Sequence, residues 1–167
     1  MNDTYVEVMV ARKTSPLLPV ARILSYALAV ACFFMSVLAS PVFLVGTIVF
    51  AVAAYFVLPG FDLEYEYLYI DKEITIDKIM AKEKRKRVMT IDLNSMEVMA
   101  PASSHELDSY KARGVKTYDL TSREQDRKVY SVVYESGKEG TVMVNIEPNE
   151  EMIRAIKTVF PRKVMDF

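Results

Sequence analysis

The first hydrophobic pattern in the chain is a long run without charge. No Asp, Glu, Lys or Arg occurs from Ile23 to Phe61. A helix that crosses a bilayer needs about 20 residues, so this run is too long for one such helix and fits two. Ser and Pro in LASPV, Leu38–Val42, favour a turn. The pattern therefore predicts a transmembrane hairpin over 19–58, with spans at 19–38 and 41–58.

Three other interpretations of the apolar run remain open. Small residues in SVLAS, with Val37 and Ala39 at the key positions, are typical of a signal-peptide cleavage site. Against this, a polar segment with Asp3 and Glu7 precedes the run, and a second apolar stretch follows it. A single bent or re-entrant span is the second alternative. A buried helical pair in a soluble protein is the third, and about 100 polar-rich residues are too few to cover it.

Small residues recur along both predicted spans, which favours close packing of the two helices. They are Ser25, Ala29 and Ser36 in the first span and Gly46, Ala51 and Ala54 in the second.

After Pro59-Gly60 the pattern alternates with a period of two, which indicates half-buried strands. In DLEYEYLYI, Leu63, Tyr65, Tyr67 and Tyr69 share one face and the acidic residues share the other. Further strands are predicted at 73–82, 86–93, 96–101, 115–121, 128–136 and 141–148. The turn GKEG joins the last two as a hairpin.

A third pattern, with helical spacing, closes the chain. Asn149 can cap a helix whose first turn carries Glu150 and Glu151, where acidic side chains complement the helix dipole. The apolar stripe consists of Met152, Ile153, Ile156, Val159 and Phe160. We therefore predict a helix over 149–160, packed on a small antiparallel β-sandwich or partly open barrel.

These elements give an α+β membrane protein in three parts. Residues 1–18 form an N-terminal segment, 19–58 the hairpin, and 61–167 the β domain. Within the first part, Thr4–Lys13 fits both an added strand and an interfacial helix.

The charges beside the apolar run predict its orientation. Arg12, Lys13 and Arg22 flank the first span, whereas the connecting turn has no charge, so both termini are expected in the cytoplasm and the hairpin in the cytoplasmic membrane. Arg22 lies one turn inside the span, where its stem can reach the headgroups as an interface anchor. A mean hydropathy of +0.13 alongside 26% charged residues agrees with this segregation.

The chain has 21 basic and 22 acidic residues, so no overall field favours nucleic acid. The strongest local feature is KEKRKR, predicted as the turn between the second and third strands of the β domain. It is a solvated tip that discourages edge pairing or a contact for anionic lipid, with contact to nucleic acid or protein as the remaining alternative. The residues concerned are Lys82, Lys84, Arg85, Lys86 and Arg87.

No residue set predicts catalysis, a metal site or a cofactor. His105 is the sole histidine and Cys32 the sole cysteine, so no zinc set can form. Glu64 and Glu66 have the spacing of paired carboxylates, but alternation along a strand gives that spacing by default. We expect His105 to be an exposed loop residue and the protein not to be an enzyme.

The runs YEYLYIDKEITIDKI, RKRVMTIDLNSMEVMAP and EPNEEMIRAIKTVF resemble a bacterial pleckstrin-homology-like domain. With the opening YVEVMVARK and the hairpin, the chain resembles an uncharacterised family of two-pass membrane proteins of Firmicutes. The resemblance implies a binding or assembly module. Lipid-binding relatives usually have basic residues in the first hairpin turn, and here Asp71 to Glu73 is acidic apart from Lys72, which argues against phosphoinositide recognition.

The sequence therefore predicts a non-catalytic module anchored in the bilayer that binds a protein partner, another copy of itself or anionic lipid. The alternative is an accessory subunit of a transporter or envelope enzyme, or an enzyme.

Overall fold

The computed structural model describes residues 5–13, 17–58, 63–80 and 84–165. The chain divides into two compact units. One unit contains two β-sheets and the C-terminal helix. The other contains the apolar helices.

The apolar unit is a pair of packed helices. Helix α1 covers Leu17–Leu38 and α2 covers Phe43–Val52, continued by a π-helical segment at Ala53–Val57. The predicted small residues mediate the packing: a Cβ on Gly46 would lie 3.2 Å from the Cys32 sulfur, and Ala29 and Ala54 are buried. Ala51 is exposed and takes no part in it.

Of the described helices, only Leu17–Leu38 is long and apolar enough to cross a membrane, with a mean hydropathy of 2.0. The prediction of a second full-length span at 41–58 is wrong. Pro41 and Val42 form the turn after α1 instead of the first helical turn, so the second apolar helix begins at Phe43 and is shorter.

The β unit has two four-stranded sheets. The first, in the order β1-β2-β3-β4, contains Val6–Ala11, Leu63–Ile70, Glu73–Met80 and Lys84–Asp92. The second has the order β5-β7-β8-β6, where β5 is Met96–Pro101, β6 is Lys116–Asp119, β7 is Tyr130–Ser136 and β8 is Gly140–Ile146. Short helical turns lie at Leu93–Ser95 and His105–Leu107, and α3 covers Asp108–Ala112.

All seven strands predicted after the hairpin are present, and the N-terminal segment supplies an eighth. Strand β1 pairs antiparallel with β2 from Val6↔Tyr69 to Ala11↔Glu64. The part predicted as a separate segment, 1–18, therefore contributes a strand to the sheet, and a β domain starting at 61 lacks that strand.

The barrel alternative is wrong because the described strands form two open sheets. A 3-10 turn at Leu93–Ser95 separates β4 from β5 along the chain, and there Asp92 accepts a hydrogen bond from the Asn94 backbone N–H. The chain therefore passes to the second sheet instead of closing the first. The sandwich is also not wholly antiparallel, since β6 pairs parallel with β8.

The core lies between the sheets and beneath the C-terminal helix. Tyr65, Tyr67 and Tyr69 face inward, as the alternation predicted. Helix α4 covers Glu150–Val159, and the Asn149 side chain accepts a hydrogen bond from the Met152 N–H at 2.8 Å. The helix packs into the core mainly through Met152 and Ile156, whereas Val159 is 41% exposed.

The outer face of the second sheet is covered. Leu107 and Tyr110 pack on Val98, Val133 and Met143 in a second apolar cluster. Strand β5 lies at the edge of its sheet, and its outer side is hydrogen-bonded to the C-terminal segment. The Met99 N–H donates to the Lys163 carbonyl and the Met165 N–H donates to the Met99 carbonyl, both at 2.8 Å.

Candidate functional site

The strand directions in the first sheet bring the basic run to a defined end. Two residues separate β2 from β3 and three separate β3 from β4, and such short connections join only antiparallel strands. Met80 and Lys84 therefore lie at the same end of the sheet as Ala11 and Glu64. From this end the chain leaves for the apolar helices and returns from them.

The basic run is not the turn that the sequence predicted. Lys84 to Arg87 are the first four residues of strand β4, and Lys82 lies outside the described residues. An extended backbone here allows the side chains of Arg85 and Arg87 to reach carboxylates on other strands of the same sheet.

The two arginines neutralise carboxylates that are almost buried. Arg85 donates to Glu66 on β2 at 2.8 Å, and Arg87 is 3.4 Å from Asp77 on β3. The Glu66 and Asp77 side chains are 6% and 12% exposed. A carboxylate that is so little exposed to water needs a hydrogen-bonded cation nearby, so the two arginines stabilise the folded sheet.

The lysines of the run differ from the arginines. Lys84 and Lys86 are exposed, and within the described ranges no ion pair involves either of them. These two ammonium groups are therefore the part of the described run that can meet an external anion.

Strand β1 extends the polar cluster around Glu66. The Tyr5 hydroxyl donates to Glu7 at 2.6 Å and lowers the pKa of that carboxyl, and a hydrogen bond with Glu66 acts in the same direction. Burial raises the pKa of the Glu66 carboxyl, and Arg85 opposes the shift. Glu66 is thus held by Arg85 and by its hydrogen bond with Glu7, whereas Glu64, two positions before it on the same strand, is only partly buried.

This arrangement makes a stability prediction. We expect Arg85→Gln to reduce the free energy of unfolding by about 1–2 kcal/mol, because it leaves the Glu66 carboxylate without its cation. Lys86→Gln, the neighbouring change of the same charge, should stay within about 0.5 kcal/mol of the parent. Urea unfolding of the full-length protein in detergent measures both. Equal losses for the two variants would contradict the division of the run.

A shallow depression of about 420 Å³ lies on the outer face of the first sheet. It was not predicted from the sequence. Its lining residues are Leu68, Ile70, Asp71, Glu73, Thr75 and Arg87. At its rim, Asp71 and Lys72 both have positive φ, 48° and 68°, as the two central residues of a type I′ hairpin turn require. The depression is open and combines acidic, basic and apolar groups, so its chemistry does not single out one ligand.

The other predicted residues are scattered over the chain. His105 is exposed at the start of a short 3-10 helix, with Nδ1 3.0 Å from Asp108 Oδ2. Arg22 is exposed on α1, and Cys32 is partly buried against Gly46. In the part of the chain that the structure describes, no three His, Cys, Asp or Glu residues are grouped to hold a metal ion.

Sequence reasoning missed a buried carboxylate in the second half of the chain. Glu147 Oε1 accepts hydrogen bonds from the Ser122 N–H and hydroxyl, both at 2.8 Å. These bonds hold Ser122, near the start of the mixed-charge loop of residues 121–128. Nearby, the Tyr67 hydroxyl donates to the Leu120 carbonyl at 2.6 Å, and burial raises the pKa of Tyr67. Neither Glu147 nor Tyr67 stands out in the sequence, since both follow ordinary strand alternation.

Comparison with known proteins agrees with this architecture of two sheets and a terminal helix. Searches of the curated proteins and of the solved structures each returned no match. The family described as "Bacterial PH-like domain (DUF6106)" matches residues 2–166, which include the apolar helices as well as the sheets. The chain belongs to this family of bacterial PH-like domains.

Proposed function

We propose that this protein is a non-catalytic binding or assembly module, held at the cytoplasmic face of the cell membrane by its apolar helix pair. The helices lie in the bilayer as a hairpin that returns to its starting face, as expected for a two-pass membrane family of Firmicutes. The second helix, Phe43–Val57, is shorter than the full-length span predicted from the sequence. The PH-like domain and both termini lie in the cytoplasm. The domain binds a protein partner, a second copy of the chain, or anionic lipid.

The observation that carries this proposal is the exposed apolar surface of the helix pair. Only 6% of the residues in the most apolar 18-residue stretch of α1 are buried. Large hydrophobic side chains are exposed along both helices, among them Ile23, Val30, Phe34, Val45, Val49 and Phe56. Soluble proteins rarely expose so much contiguous apolar surface, whereas hydrocarbon covers it without cost.

The orientation rests on the basic residues before and at the start of α1. Arg12, Lys13 and Arg22 lie there, whereas the turn at 39–42 has no charge. Arg22 is exposed and acts as the interface anchor.

The absence of catalysis is part of the proposal. PH-like domains are binding modules, and the carboxylate with the most unusual environment, Glu66, is held by Arg85. An accessory role beside a transporter or envelope enzyme is the alternative. Capture of the full-length protein from native membranes with such a complex would favour that role.

The anchor is tested by alkaline extraction of membranes from cells that express the full-length protein. We expect it to stay in the membrane pellet at high pH and to enter the supernatant only with detergent. Release by alkali alone, as a monodisperse species, would overturn the proposal.

The proposed lipid contact uses Lys84 and Lys86, together with Lys82, whose structure is not described. Lys84 and Lys86 lie at the start of β4, at the sheet end where β1 ends and β2 begins. Each basic residue near an anionic surface contributes about 1 kcal/mol of attraction. Arg85 and Arg87 belong to the same basic run, but they are paired with carboxylates and contribute less.

The contact predicts selective protection of lysines. In full-length protein reconstituted into vesicles, acylation of Lys84 and Lys86 should be several-fold slower with phosphatidylglycerol than with phosphatidylcholine alone. High salt should remove the difference, because it screens exposed charges. Lys138, exposed in the β7–β8 turn, is the internal control and should react equally in both. Equal rates at Lys84, Lys86 and Lys138 would exclude the contact.

A further inference from the structure

The first strand of the sheet and its partner lie on opposite sides of the helix pair in the chain. Strand β1 precedes α1, and β2 follows the apolar helices. The two strands nevertheless pair over their whole common length, from Val6↔Tyr69 to Ala11↔Glu64. The helix pair is therefore an insertion between two hydrogen-bonded neighbours of one sheet.

Strand β1 is a structural part of the domain core. Val6 and Val10 are 3% and 8% exposed and pack with Tyr65, Tyr67 and Tyr69. Arg12, just beyond the strand, donates to the Tyr65 hydroxyl at 3.2 Å. Without β1, strand β2 would become a sheet edge and the tyrosine row would lose its cover. Exposed edges of this kind aggregate.

The pairing sets a condition on the membrane topology. Two strands can form a ladder only when they are on the same side of a bilayer. An apolar segment that crossed an odd number of times would leave β1 on one side and β2 on the other. A segment that returns to its starting face allows the pairing.

We propose that strand β1 is a topological latch: the PH-like domain folds only in molecules whose helix pair returns the chain to the membrane face from which it entered. This inference rests on the proposed membrane anchor. It also accounts for the joint match of helices and sheets to one family, because the helices are inserted between two paired strands of the domain. Signal-peptide cleavage after Ala39, as in a secreted protein, would remove β1 and is incompatible with the latch.

The latch is tested with a pair of cysteines in the full-length protein in membranes. Glu7 and Leu68 are direct register partners. Such partners lie within disulfide range of each other. In a Cys32→Ala background, oxidation of the Glu7→Cys, Leu68→Cys protein should remove nearly all labelling by a maleimide polymer. The matched control, Glu7→Cys with Val88→Cys, places the second thiol on β4, two strands beyond β2, and should remain labelled.

A second variant lacks α2 and the π-helical segment, residues 43–57, so that the chain cannot return as a hairpin. Membrane-integrated molecules of this variant should form no Glu7→Cys, Leu68→Cys link, and their domain should be digested by protease. Molecules in which α1 has left the membrane have both strands on one side and should cross-link. A membrane-integrated, single-span molecule with a cross-linked, protease-resistant domain would overturn the latch.

The two proposals fail in distinguishable ways. Loss of the membrane anchor would appear as full-length protein in the alkaline supernatant, with or without the cross-link. If the latch is wrong, the full-length protein in the membrane pellet will lack the Glu7→Cys, Leu68→Cys cross-link, or the single-span variant in the pellet will contain it.

Discussion

Residues 61–167 expressed alone will not form a stable PH-like domain, whereas the same residues joined to residues 4–13 by a short Gly-Ser linker in place of 14–60 will. The reason is that Val6 and Val10 belong to the core. Burial of each valine contributes about 1.5–3 kcal/mol. Their loss, with the β1–β2 ladder, removes a large part of a typical domain stability of about 5–15 kcal/mol.

Circular dichroism during heating and gel filtration measure this difference. The linked protein should elute as a discrete species and unfold in one cooperative transition, and the shorter chain should aggregate or unfold without cooperativity. If both melted cooperatively at the same temperature, β1 would not be part of the stable core.

Ile156→Ala will destabilise the β unit by about 2–5 kcal/mol, because it leaves a cavity where α4 packs into the core. Ile156 is fully buried, whereas Val159 on the same helix is largely outside the core. Val159→Ala should therefore change the free energy of unfolding by about 0.5 kcal/mol or less. Urea unfolding of the full-length protein in detergent provides the comparison, and similar losses for both variants would contradict the observed packing of α4.

The sequence predicted local structure well where a short-range pattern determines it. Alternation of tyrosine and acidic residues located β2 and its buried face. Asn149 and the apolar spacing after it located α4 to within a residue at each end. These features depend on neighbours within one element, which the periodicity records directly.

The pairing of distant segments could not be predicted in the same way. The period of Thr4–Lys13 fits a strand and a helix, and only its partner β2 determines which one forms. The parallel pairing of β6 with β8 likewise depends on the path of the chain between the sheets. The error at the second span arose because Pro41 is compatible with a turn and with a first helical turn.

In the candidate site, too, the sequence pattern did not show which distant residues pair. Charge counting found the basic run at 82–87, but did not separate the arginines that pair with Glu66 and Asp77 from Lys84 and Lys86, which form no ion pair among the described residues. That separation depends on carboxylates up to 19 positions away along the chain. It reduces the proposed lipid contact from five residues to three, one of which lies outside the described ranges.

The proposed membrane anchor requires that lipid hydrocarbon covers the exposed apolar surface of the helix pair. Spin labels at Val30 on α1 and Val49 on α2, in the full-length protein in vesicles, test this most directly, since both side chains are exposed in the structure. We predict that both labels collide frequently with oxygen and rarely with a water-soluble nickel complex. Frequent collision of both labels with the nickel complex would place these helices in water and contradict the account.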